Sequence, residues 1–199
     1  MAEAKTEKMN GSCKELFEKI VNRQIAALMF HDKMADLYDF LGLYGFKRVH
    51  EYQYLSESIA FRGVKRYFIN HHNMLLSDSD IHPEKVIPAD WIGHTRYDVN
   101  VQIRRQYVQK SIEDYCEWEK DTKHCFECVA KELLDMGLTA DFSMVQKLIE
   151  EVDEELKKSE RLYIKLCAVD FNSTYIMEIQ PEIHEKYKKK TKHIGIKIC

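Results

Sequence analysis

A chain of 199 residues with 45% apolar side chains can bury one sizeable core without disulfides or a structural metal, so one domain is expected. Thirty Lys and Arg against 33 Asp and Glu leave a net charge of −3, which excludes a global drive towards nucleic acid or an anionic membrane. The opening MAEAKTEKMNGSCKE has no apolar leader core, and no stretch approaches the roughly 18–20 continuous apolar residues of a membrane span, so a cytoplasmic protein is expected. Six scattered cysteines (Cys13, Cys116, Cys125, Cys128, Cys167, Cys199) fit reduced thiols, and seven Gly with three Pro point to long uninterrupted helices.

Residues 1–13 read as a flexible N-terminus. From 14 to 43, Phe17, Ile20, Ala27, Met34, Tyr38 and Leu41 recur at helical spacing. After a break at Leu43-Tyr44-Gly45, a second helix is expected over 46–71, antiparallel to the first because the connection is short. Residues 73–97 hold Pro83, Pro88, Gly93 and the run SDSD, and read as a long crossover. A third helix follows over 98–136, stopped by Gly137. Asp141 reads as the N-cap of a fourth that runs to about 168. Beyond it the pattern weakens, and Pro181 with HEKYKKKTKHIGIKIC suggests a mobile or partly helical, lysine-rich tail over 169–199, a solvated end. The expected architecture is all-α: two antiparallel helix pairs joined by one long crossover.

Each inward stripe is interrupted by polar residues near its midpoint. The first helix carries Gln24 and His31 there, the second His50, Tyr54 and Glu57, the third Glu119, and the fourth Glu155 with Ser159. Counting from the turns sets His31 level with Glu57, and Glu119 level with Ser159, one turn from Glu155. Several buried carboxylates at one level demand a cation, protonation or a hydrogen-bonded network. His31, Glu57, Glu119 and Glu155 are therefore the candidate ligands, with Tyr54 or Gln24 beside them, and carboxylate with imidazole suits iron or manganese.

The runs NRQIAAL, HEYQYLSES, EWEKDTKHCFECVA and IEEVDEELKKSERL resemble the four helices of ferritins and bacterioferritins. Through them the chain resembles the ferritin-like superfamily over about residues 14–168. The resemblance implies a ferritin-like four-helix bundle. That family binds two irons and oxidises them with oxygen or peroxide. It uses a Glu on the first helix, a Glu followed three residues later by His on the second, a Glu on the third, and Gln or another Glu and His pair on the fourth. Here Gln24 or Leu28 stands near the first position, Glu51 is followed by Tyr54, and Glu154 and Glu155 are followed by Lys157 and Lys158; Glu119 matches. The run YGFKRVHEYQYLSES is also similar to proteins of bacterial and phage genomes.

Cys125 and Cys128 make a Cys-x-x-Cys pair, but no second pair completes a zinc site, and its place inside a helix suits packing. His71 and His72 close the second helix, where the dipole alone favours them; Asp78, Asp80, His82 and His94 follow in the crossover. Lys188, Lys189, Lys190, Lys192 and His193 fit a solvated end better than a phosphate-binding arm, so no nucleic-acid partner is expected. Two readings stand: a divergent ferritin-like protein binding iron or manganese at mid-bundle, and a metal-free scaffold acting through a protein partner. Self-association into a homo-oligomer is expected, and catalysis is left open.

Overall fold

The computed structural model describes residues 2–76 and 100–198. Helices hold 91% of the described residues, in the order α1 (Ala2–Phe40), α2 (Tyr44–His72), α3 (Val101–Asp135), α4 (Thr139–Ala168) and α5 (Ser173–Ile198). Among these residues no helix is long and apolar enough to cross a membrane.

The two tight turns have one design. Gly42 (φ 71°) and Gly137 (φ 75°) take the left-handed conformation that ends a helix at little cost. The next residue then donates back across the last turn, Leu43 N–H to the Tyr38 carbonyl at 2.8 Å and Leu138 N–H to that of Leu133 at 2.9 Å. These reversals make α1 antiparallel to α2 and α3 antiparallel to α4. Tyr38 meets Ser111 while Arg23 meets Thr122, so α1 is also antiparallel to α3. It follows that α2 and α3 are parallel, with the end of one and the start of the other at opposite ends of the bundle. The expected crossover between them falls almost wholly outside the described residues.

Several boundaries differ from the expectation. Helix α1 begins at Ala2, well ahead of residue 14. Asn100 caps α3 by accepting from Ile103 N–H at 2.9 Å. Asp141 is not the cap of α4: it lies in the first turn, and its carboxylate accepts from side chains of α2 instead.

The main difference is α5, a full-length helix packed on α2 where a mobile or partly helical, solvated tail was expected. Asn172 caps it, accepting from Thr174 and Tyr175 N–H groups at 3.0 and 3.2 Å. It runs parallel to α2 at a seven-residue spacing: Gly45 meets Gln180, Tyr52 meets Tyr187, and Ile59 lies with Ile194. Burial of Ile176, Gln180, Tyr187 and Ile194 offsets the roughly 3 kcal/mol cost of Pro181 within the helix. No glycine announces the turn before α5, because Asp170 itself takes positive φ (51°) there.

The apolar interior is divided in two. One cluster gathers Phe30, Met34, Tyr38, Phe46, Ile112 and Leu166. The other gathers Phe17, Ile20, Phe68, Phe126, Leu133 and Val145. Every helix of the four-helix core has its inward polar residues between the two.

Candidate metal centre

The polar layer is built by one to two inward turns from each core helix. Helix α1 contributes Arg23, Gln24 and His31, α2 contributes His50, Gln53 and Glu57, α3 Glu119 and Thr122, and α4 Glu155 and Ser159. Arg23 lies flat on Trp118, 3.6 Å from the ring centre, and its Nε donates to Thr122 Oγ1 at 2.9 Å. That clamp fixes α1 against α3 beside Glu119.

His31 and His50 face each other through their Nδ1 atoms at 3.0 Å. One ring must donate and the other accept, so at least one is the Nδ1–H tautomer. When His31 is the donor, its Nε2 carries a lone pair aimed towards Glu119 Oε1, 4.0 Å away. Burial holds His31 down to about 3, and burial with the neighbouring His31 holds His50 well below the ordinary imidazole value. Both rings are neutral.

Glu57, Glu119 and Glu155 line one cavity of about 410 Å³ together with Gln24, Gln53, Glu151, Lys158 and Lys190. Burial first, then Glu57 and Glu155, pushes Glu119 well above the usual carboxylate range against the opposing pull of Arg23 and Lys158. Glu57 is raised to about 7 by burial and by the charges of Glu151 and Glu155. Glu155 is differently placed: it accepts hydrogen bonds from Gln53 Nε2 and Lys158 Nζ. Gln53 Nε2 also donates to Tyr115 OH at 3.1 Å. Gln24 is 2% exposed, yet neither its amide nitrogen nor its oxygen has a hydrogen-bond partner.

Of the four expected ligands, three carboxylates therefore share the cavity and His31 stands behind Glu119. Their donor atoms are not drawn around one point. The expected partner of His31 is displaced by seven residues, about two turns of α2: the chain reverses within Leu41–Leu43, so His31 meets His50 and Glu57 lies further along. Tyr54, expected beside the ligands, is 40% exposed, whereas Gln53 is buried and does the bridging. The inward face of α2 follows Phe46, His50, Gln53, Glu57, Val64 and Phe68, because its 45, 52 and 59 positions face α5. Lys190, expected to be solvated, lines the cavity through α5.

A second cluster lies elsewhere. Among the described residues, the one group of His, Cys, Asp and Glu side chains with ligand atoms all within 4.8 Å of one another is Cys13, His72 and Asp141. Sequence reasoning noted His72 only as a helix-end residue, and no spacing rule joins it to residues 59 and 69 positions away. Asp78, Asp80, His82 and His94 lie outside the described residues.

No family model matches the chain, and no curated protein matches it. Solved structures do. The open-pore ferritin of the hyperthermophilic archaeon Archaeoglobus fulgidus superposes with a TM-score of 0.71 at 15% identity, over 87% of this chain and 94% of that one. A closed form of the same ferritin made by site-directed mutagenesis gives the same values, and a humanized archaeal ferritin gives 0.69 over 87% and 95%. With α2 parallel to α3 between two antiparallel pairs, the chain has the ferritin-like fold.

Proposed function

We propose that the mid-bundle cavity binds a hard divalent cation, iron or manganese, through Glu57, Glu119 and Glu155, with His31 joining through Nε2. The observation that carries this reading is unsatisfied polarity at a buried spot: a buried Gln24 amide without a hydrogen-bond partner faces the same cavity as Glu57 and Glu119, whose carboxyls burial pushes above the usual range. The donor chemistry fits, since carboxylate, amide oxygen and neutral imidazole are ligands of Mn²⁺ and Fe²⁺. The His31 and His50 contact supplies the outer hydrogen bond that orients a ligating imidazole. A bound cation would replace the proton on Glu119 and offset the repulsion among the three carboxylates.

Lys158, paired to Glu155, and Lys190 favour a second reading, in which the cavity neutralises itself and the bundle is a scaffold for a protein partner. Elemental analysis of protein purified without chelators, with thermal melts in added Mn²⁺ or Fe²⁺, separates the two. Cation binding predicts retained metal and a higher melting temperature, roughly 2.7 kcal/mol of added stability at a hundredfold excess over Kd. Glu119→Ala should abolish both. A parent protein that neither retains iron or manganese nor melts higher with them leaves the scaffold, in which Glu119→Ala is neutral or mildly stabilising.

Self-association is proposed on the likeness of the fold to the open-pore archaeal ferritin. Sedimentation should give a multiple of 23.6 kDa; the mass of a single chain would remove it.

A further inference from the structure

We propose that Cys13, His72 and Asp141 form a separate site for one borderline-soft divalent cation of the Zn²⁺ class, linking α1, α2 and α4 near one end of the bundle. The ligands come from three helices. Cys13 Sγ lies 3.8 Å from His72 Nε2, which lies 2.9 Å from Asp141 Oδ1. Zinc bonds of about 2.3 Å to sulfur and 2.0–2.1 Å to nitrogen and oxygen, at the tetrahedral angle, place these pairs about 3.5 and 3.4 Å apart. Small side-chain rotations close the difference.

The geometry also decides between two chemistries. A nucleophilic cysteine triad needs thiol and carboxylate on opposite nitrogens of the imidazole, so that one orients the ring while the other gives up its proton. Here both meet the same nitrogen. Three lone-pair atoms converging on one side of the ring describe a ligand set, not a relay.

The surroundings fit this use. Cys13 and Asp141 are 1% and 2% exposed, and the His72 ring lies against Phe68, with Phe17 on another side. Tyr67 OH donates to Asp141 Oδ1 at 3.0 Å and fixes the carboxylate. On binding, the Cys13 thiol loses its proton to solvent and the sulfur bonds the cation. One thiolate, one carboxylate, a neutral imidazole and a 2+ ion sum to zero charge, the condition a buried ionic group requires. Without the ion the thiol keeps its proton, pushed up to about 12 by burial and by Asp141. Sulfur and nitrogen ligands select zinc over the hard ions suited to the mid-bundle carboxylates, so the two sites differ in cation as well as in place.

Cobalt(II) is the probe, titrated into the whole metal-free protein. One equivalent should give a thiolate-to-cobalt charge-transfer band that Zn²⁺ abolishes, and zinc should raise the melting temperature. Cys13→Ser should remove the band. Asp141→Asn, which keeps the thiol, should weaken cobalt binding about tenfold or more. Glu119→Gln should leave the band intact. Absence of the band in the parent overturns the proposal, as does unchanged cobalt affinity in Asp141→Asn. So does a band that survives Cys13→Ser and vanishes in Cys128→Ser, since Cys128 Sγ lies 3.7 Å from His124 Nε2.

Discussion

His31, His50, Glu57 and Glu119 titrate in opposition, and together they shape stability against pH. The two imidazoles are held below their ordinary value of 6.5 by burial, and the two carboxyls above theirs of 4.5. Between those values the unfolded chain carries two protons on the imidazoles, and the folded chain carries two on the carboxyls. The four groups then contribute no slope. Above 6.5 the folded state binds more protons, so stability falls as pH rises, the Glu57 share ending near 7. Below 4.5 the unfolded state binds more, so stability falls as pH drops. Melting curves of the metal-free protein should therefore show a plateau with a fall on each side, each limb about 1.4 kcal/mol per pH unit per group. Glu119→Gln should shallow the alkaline limb and leave the acid one. An alkaline limb unchanged in that variant would mean that Glu119 is ionised in the folded protein.

At the scale of elements, the joint between α2 and α5 rests on one side chain. Gln180 Oε1 accepts from the Gly45 and Phe46 N–H groups at 2.9 and 3.1 Å, capping α2 from a helix 135 residues away. A Cβ at Gly45 would stand 2.5 Å from the Gln180 carbonyl oxygen, so α5 approaches where only glycine fits. Gln180→Ala should cost about 1–3 kcal/mol by stranding two buried donors, and Gly45→Ala should also destabilise by forcing α5 outwards. Urea denaturation measures both; an unaffected midpoint in Gly45→Ala would show that α5 is not docked there in solution. This joint was not legible in the sequence, because Pro181 and a run of lysines mask a face that recurs only at Ile176, Gln180, Tyr187 and Ile194. The four core helices were legible, since each repeats apolar residues over about six turns or more. So was the polar band at their midpoints. What spacing did not supply was the register of α2 against α1 across its three-residue turn, or the rotation of α2 that turns Gln53 inwards in place of Tyr54.

For the whole molecule, helix order separates a local part from a distant one. Contacts of α1 with α2, and of α3 with α4, close across three-residue turns. Those of α2 with α5 close a loop of 135 residues and hold α5 chiefly by one face. Loop-closure entropy places such contacts late in folding, and thin burial makes them the first to open. Amide hydrogens of α5 should exchange sooner than those of α1 to α4, which hydrogen exchange with mass detection resolves by segment; equal protection would make the five helices one cooperative unit. Because Lys190 and Ile194 wall the carboxylate cavity, undocking of α5 uncovers it while the four-helix core stays folded. Solute reaching Glu119, the buried carboxyl of the cavity, then gains a wider route each time one helix leaves its groove, and a change as distant as Gly45→Ala would widen that route without touching a single group in the cavity.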